Sequence, residues 1–198
     1  MSQKSDQITP TAEGLAASAQ AARAAKGLPP VHLWNPPFCG DLDMRIAADG
    51  TWFYLGTPIG RFELVKLFSS ILKLEDGKYF LVTPVEKVGI TVEDAPFVAV
   101  DFTVQHRDQE QSLTFETHVG DRVTASAENP ITVQFAQDGE PRPYVHVRAG
   151  LTALIDRKSF YRLVDLGTSA VHEGQEMFGL WSGGQFFPMC TMSDLDGL

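Results

Sequence analysis

Cysteine is scarce: the 198 residues hold two, Cys39 and Cys190, far apart and in no Cys-x-x-Cys arrangement. That excludes a disulfide-stapled secreted scaffold and a zinc ribbon. Both thiols are expected to be small buried hydrophobes in a reducing compartment. No apolar run approaches the roughly 20 residues of a membrane-spanning helix. The alanine-rich stretch from Ala12 to Ala25 has no basic leader and is broken by Gln20 and Arg23, so it is not read as a secretory signal. The expected location is the cytoplasm. Basic residues are also few, with 16 Lys and Arg against 25 Asp and Glu and a formal charge of -9. An acidic chain without a Lys/Arg run repels phosphate backbones and anionic lipid, so neither nucleic acid nor membrane is expected as a partner.

Several chemistries are missing too. There is no Gly-x-Gly-x-x-Gly and no phosphate-cradling Gly-x-x-x-x-Gly-Lys-Ser/Thr. The stretch Gly179-Leu180-Trp181-Ser182-Gly183 has one residue too many before the serine for a nucleophile elbow. The five histidines, His32, His106, His118, His146 and His172, lack metal-ligand spacing. No catalytic residue is assigned and no metal is expected.

What is present is an ordinary globular composition, 43% hydrophobic and 21% charged. At this length it supports one large domain or two small ones. Thr11 is a candidate N-cap for a helix running towards Gly27, with little to bury beyond alanine, and residues 1–27 are read as a tail and peripheral helix. The paired prolines around Val31 to Pro37 call for extended backbone. After them the chain turns mainly to strand. Leu42 to Ala47, the turn Asp49-Gly50 and Thr51 to Leu55 read as a hairpin. Leu64, Leu67, Phe68, Ile71 and Leu72 have helical spacing, which predicts a helix over Arg61 to Lys73 ended by Asp76-Gly77. Strands follow at Lys78 to Thr83 and Glu86 to Val92, and Asp94-Ala95-Pro96 marks a boundary between residues 28–95 and 96–198.

In the C-terminal part, Phe97 to His106 and Ser112 to Val119 read as a hairpin across the polar stretch Arg107 to Gln111. Strands at Arg122 to Ala125, Ile131 to Phe135 and Tyr144 to Arg148 come next, the last preceded by Asp138-Gly139. Asp156 then caps a helix that buries Phe160, Leu163 and Val164 and stops at Gly167. Residues from Gly174 to Met192 form closing strands around Ser182-Gly183-Gly184. Placing Arg61, Leu64, Val65, Leu67 and Phe68 opposite Arg157, Phe160, Tyr161, Leu163 and Val164 suggests a duplicated strand–strand–helix–strand unit. The fold class is α+β and β-rich.

Asp41-Leu42-Asp43-Met44-Arg45 is the most suggestive polar cluster. In a strand, residues at i, i+2 and i+4 share a face, so two carboxylates would lie beside a guanidinium. The bland alternative is an ion-paired sheet surface. Thr83-Pro84-Val85-Glu86-Lys87 is either a functional loop or a kinked connection. In the C-terminal part six of seven basic residues are arginine, a side chain whose planar fork suits carboxylate or phosphate.

The segments Trp34-Asn35-Pro36-Pro37, Gly40 to Ile46, Asp49 to Trp52, Gly56 to Ile59, Leu81 to Lys87 and Asp94 to Phe97 resemble an uncharacterised bacterial family, the domain of unknown function 1285 family. The resemblance covers nearly everything after residue 30. It implies duplicated domains and a C-terminal part with a pleckstrin-homology-like curved antiparallel sheet, a partly open barrel with a helix. It further implies a nucleotide-like ligand between the domains and a role in bacterial signalling. It supplies no catalytic residues.

The leading expectation is therefore a non-catalytic binding module for a small anionic, nucleotide-like ligand. Arg45 or Arg148 would meet phosphate, Trp34 or Tyr144 would stack a ring, and Asn35, Asp41, Asp43, Thr83, Glu86 and Lys87 complete the candidates. The alternatives are an adaptor that recruits a signalling protein without a small ligand, and a hydrolase or metalloenzyme built on Asp41 and Asp43.

Overall fold

The computed structural model describes residues 10–22, 27–107, 110–137 and 139–195. The chain is a β-rich α+β protein, 50% strand and 18% helix. It divides into two compact units, Met1–Glu93 and Asp94–Leu198.

In the first unit Thr11 Oγ1 accepts the Gly14 N–H at 3.1 Å and opens α1 (Ala12–Ala21). Leu15 and Ala19, one turn apart, are fully buried, so even this alanine-rich helix docks. The stretch 23–26, towards the expected stop, lies outside the described residues. Between the proline pairs the chain makes one 3-10 turn, Val31–Leu33, instead of staying extended. No proline lies inside that turn, and the Pro30 carbonyl accepts the Leu33 N–H at 2.9 Å. Next come β1 (Phe38–Ile46), β2 (Trp52–Tyr54), β3 (Thr57–Pro58), α2 (Phe62–Ser70), β4 (Leu72–Glu75), β5 (Lys78–Val82) and β6 (Lys87–Val92). They form a six-stranded sheet in the order β3-β2-β1-β6-β5-β4.

The expected helix over Arg61 to Lys73 is thus shortened at its end. Leu72-Lys73-Leu74-Glu75 pairs with β5, and Asp76-Gly77 is the turn of that hairpin, both residues at positive φ. Alternation along β1 sends Leu42, Met44 and Ile46 to the face covered by α2, where Trp52 stacks on Phe68 with centroids 6.2 Å apart. The other face of the sheet carries Asp41, Asp43 and Arg45.

The second unit begins with β7 (Phe97–Arg107), β8 (Glu110–Thr117), β9 (Arg122–Thr124), β10 (Ile131–Phe135), β11 (Pro141–Arg148) and β12 (Leu151–Ile155). These make a six-stranded sheet, β10-β11-β12-β7-β8-β9, curled into a half-barrel. Asp138 of the expected Asp-Gly turn lies outside the described residues. Asp156 Oδ1 accepts the Ser159 N–H at 2.7 Å and starts α3 (Arg157–Val164). Leu163 is fully buried there, while Phe160 and Val164 are half-buried. A separate three-stranded sheet follows, β13 (Thr168–His172), β14 (Gln175–Ser182) and β15 (Gln185–Thr191).

The two helices bury different positions. With Arg61 opposite Arg157, buried Val65 falls opposite exposed Tyr161. The strands after α2 rejoin their sheet, whereas those after α3 form a sheet of their own. Of the cysteines, Cys39 is exposed, not buried, because the first residues of β1 face outward; Cys190 is half-buried.

Candidate functional site

Burial alternates along β1 from Asp41 to Arg45, although the pairing with β6 shifts register within that stretch, and the three polar side chains fall on one face. Asp41, Asp43 and Arg45 share the uncovered face of the first unit's sheet and line one concavity of about 410 Å³ with Phe53, Gly56 and Thr91. Phe53 and Thr91 belong there as the register partners of Arg45 on β2 and β6. The Arg45 guanidinium lies over the Phe53 ring, 4.2 Å from its centroid, and ion-pairs with Glu93. Glu93 also accepts the Ala48 N–H at 3.0 Å, so it holds the arginine from a fixed position. Asp41 and Asp43 form no side-chain hydrogen bond or ion pair among the described residues. The Asp41 carboxylate lies over Gly89, where an added Cβ would fall 2.1 Å from Oδ1. With one cation against Asp41, Asp43 and Glu93, the concavity is anionic.

The other candidates sit elsewhere. Trp34 is half-buried, its carbonyl accepting the Lys73 ammonium at 3.4 Å, and Asn35 is exposed. Lys87 bonds Glu75 at 2.8 Å and lies 5.0 Å from the Phe80 centroid. Hydrogen bonds from Lys73 and then Lys87 hold the Glu75 carboxyl below its ordinary pKa. Thr83 is fully buried, and its hydroxyl accepts the Glu86 N–H at 3.2 Å, which makes Thr83 to Glu86 a self-bonded turn between β5 and β6. Tyr144 and Arg148 belong to the second unit. The Tyr144 hydroxyl donates to Asp94 at 2.7 Å, and its pKa is raised first by burial and then by that carboxylate. Arg148 ion-pairs with Asp121 and lies over Phe97, 4.8 Å from the ring centroid. Phe53 and Gly89 join the site through strand register, across from Arg45 and Asp41, a signal that sequence spacing along β1 does not carry; Glu93 joins it as the ion-pair partner of Arg45.

Two further groups have structural roles. Gly150 donates its N–H to His146 Nε2 at 3.0 Å, so Nδ1 carries the proton and donates to the Glu128 carbonyl at 2.9 Å. Ser182 is fully buried; its Oγ donates to the Ala125 carbonyl at 2.8 Å and accepts the Leu113 N–H at 3.0 Å. Ser182→Ala strands that buried N–H and should cost about 1–3 kcal/mol, measured by urea denaturation. An unchanged midpoint would refute this structural role. Among the described residues no group of three His, Cys, Asp or Glu is placed to hold a metal ion.

Comparison with known proteins gives a consistent family but no assigned chemistry. No curated protein matches the sequence. A crystal structure of a DUF1285 family protein from Silicibacter pomeroyi DSS-3 is 62% identical, covering 92% of this chain and 98% of that one, with a TM-score of 0.83. A second, from Shewanella baltica OS155, is 33% identical, covering 63% of this chain and 91% of that one, with a TM-score of 0.50. Residues 29–95 match the N-terminal domain of unknown function DUF1285, and residues 96–189 match the C-terminal domain of the same family. Together these cover most of the sequence, and the chain belongs to the DUF1285 family.

Proposed function

We propose that the chain is a non-catalytic, ligand-binding signalling module whose first unit holds a small polar ligand in the concavity above β1. The observation that carries this reading is a pair of carboxylates, Asp41 and Asp43, without a side-chain partner among the described residues, beside a guanidinium already stacked on Phe53. Carboxylates on one face accept hydrogen bonds from hydroxyl or ammonium groups. A phosphate is disfavoured there, because Glu93 already neutralises Arg45 and the remaining charge is negative. A nucleotide-like ligand would therefore present its ribose hydroxyls, not its phosphate, to β1. The second unit, a curled sheet followed by a helix, is read as pleckstrin-homology-like.

The test is a thermal-shift screen of the full chain against nucleosides, mono-, di- and cyclic nucleotides and alkylamines. A ligand at 100 times its dissociation constant stabilises by about 2.7 kcal/mol. The expected outcome is a shift with a nucleoside or amine that Asp41→Asn/Asp43→Asn abolishes. A shift that survives the double substitution would move the site elsewhere. A flat screen would favour the adaptor reading, for which the observation is the exposed Phe135, Val171 and Trp181 of the second unit.

A further inference from the structure

We propose that the seam between β10 and β15 in the second unit is a binding cleft for a small, uncharged planar aromatic molecule, held open by Pro188. This site is independent of the one on β1.

β10 ends the curled sheet and β15 ends the three-stranded sheet, so each has one open edge. The Pro130 carbonyl accepts the His146 N–H at 3.0 Å. Backbone direction alternates along a strand, so Thr132 and Gln134 also turn their main chain towards β11, while Ile131 and Val133 present theirs to the open side. On β15 the two-residue turn Gly183-Gly184 makes Ser182 and Gln185 a hydrogen-bonded pair. By the same alternation Phe186 and Pro188 face away from β14.

Both open edges line one cleft of about 460 Å³. Two facing edges would normally zip into a continuous ladder. Pro188 has no N–H to give and therefore interrupts it. Gly179 shapes the floor: its missing Cβ, which would lie 2.7 Å from Phe186 Cζ, lets the Phe186 ring cross β14. That ring comes within 6.0 Å of His172 and 5.2 Å of Trp181, centroid to centroid.

The lining then selects the ligand. Among the described residues no Asp, Glu, Lys or Arg borders the cleft, which disfavours phosphate and ammonium groups alike. An aromatic ring, two prolines and unused main-chain donors and acceptors suit a flat ring bearing one or two hydrogen-bonding groups. The volume falls within the roughly 300–1,000 Å³ of small-molecule sites, so a free ligand is favoured over a flat protein surface.

The experiment is a ¹H–¹⁵N titration of the full chain with indole, with benzoate as the anionic comparator. Indole should produce saturable shifts centred on the Val133 and Phe186 amides, with benzoate at least about tenfold weaker. Pro188→Val should protect the Val133 amide from hydrogen exchange and weaken indole by about tenfold or more. Ala127→Trp, which plugs the cleft from an exposed rim position, should do the same to indole binding without touching the core. Shifts scattered over the surface, no saturable shift, or full indole affinity in the Ala127→Trp protein would each overturn the proposal.

Discussion

Phe68→Ala should destabilise the first unit by about 3–5 kcal/mol, the usual cost of emptying a large aromatic site in a packed core. Phe68 has no exposed surface and stacks on Trp52, itself 1% exposed, so the substitution removes both buried area and an aromatic pair. Collapse cannot refill the hole cheaply. Trp52 is fixed in register opposite Ile46 on β1, and α2 is itself packed against α1. The Trp52 indole N–H has no hydrogen-bond partner among the described residues, so shape, not a polar tether, holds the ring there. Phe68→Leu keeps most of the volume and should cost less than about 1.5 kcal/mol. Chemical denaturation followed by hydrogen exchange of the β1 amides measures both. Equal losses for the two variants would show that the contact is not set by packing volume. The consequence for function is direct, because the strand that α2 holds from beneath carries Asp41, Asp43 and Arg45 on its upper side.

That two-sided strand explains how much could be read from the sequence. Period-two alternation along Asp41 to Arg45 is strict, so the placing of two carboxylates and a guanidinium on one face needed no tertiary information. What it could not supply was the cross-strand register that adds Phe53 and Glu93 and makes the site anionic. Strand boundaries failed where turns lacked their usual residues. Leu55-Gly56, Ala149-Gly150 and Glu173-Gly174 all place a non-glycine residue at positive φ ahead of glycine. Of the four such pairs only Asp76-Gly77 begins with the Asp or Asn that marks such a turn, and there the helical spacing of Ile71 and Leu72 masks the hairpin. The strand Leu151–Ile155 therefore has no turn signal at Ala149-Gly150 to announce it, nor has Thr168–His172 at Glu173-Gly174. The side chains of Tyr144 and Arg148 were legible as types but not as partners. Asp94 and Asp121, which engage them, lie 50 and 27 residues away in the sequence.

Gly179→Ala should be strongly damaging to the second unit, and comparison with Gly89→Ala separates two kinds of crowding. A Cβ on Gly179 would come 2.3 Å from the Phe187 carbonyl oxygen and 2.7 Å from the Phe186 ring. The first contact is with backbone paired in the β14–β15 ladder, so relief requires the strands to move apart, and the expected loss is about 3 kcal/mol or more. A Cβ on Gly89 would come closer still, 2.1 Å from Asp41 Oδ1, but that atom ends an exposed side chain that can rotate away. Gly89→Ala should therefore leave stability within about 0.5 kcal/mol of the parent, since alanine also loses less backbone entropy than glycine on folding. Its effect should fall on the ligand site, because the displaced Asp41 carboxylate leaves the concavity. Thermal midpoints of the two variants read the first difference, and the nucleoside and amine screen reads the second. If Gly89→Ala proved as destabilising as Gly179→Ala, Asp41 would be a fixed structural group and not one free to meet a ligand.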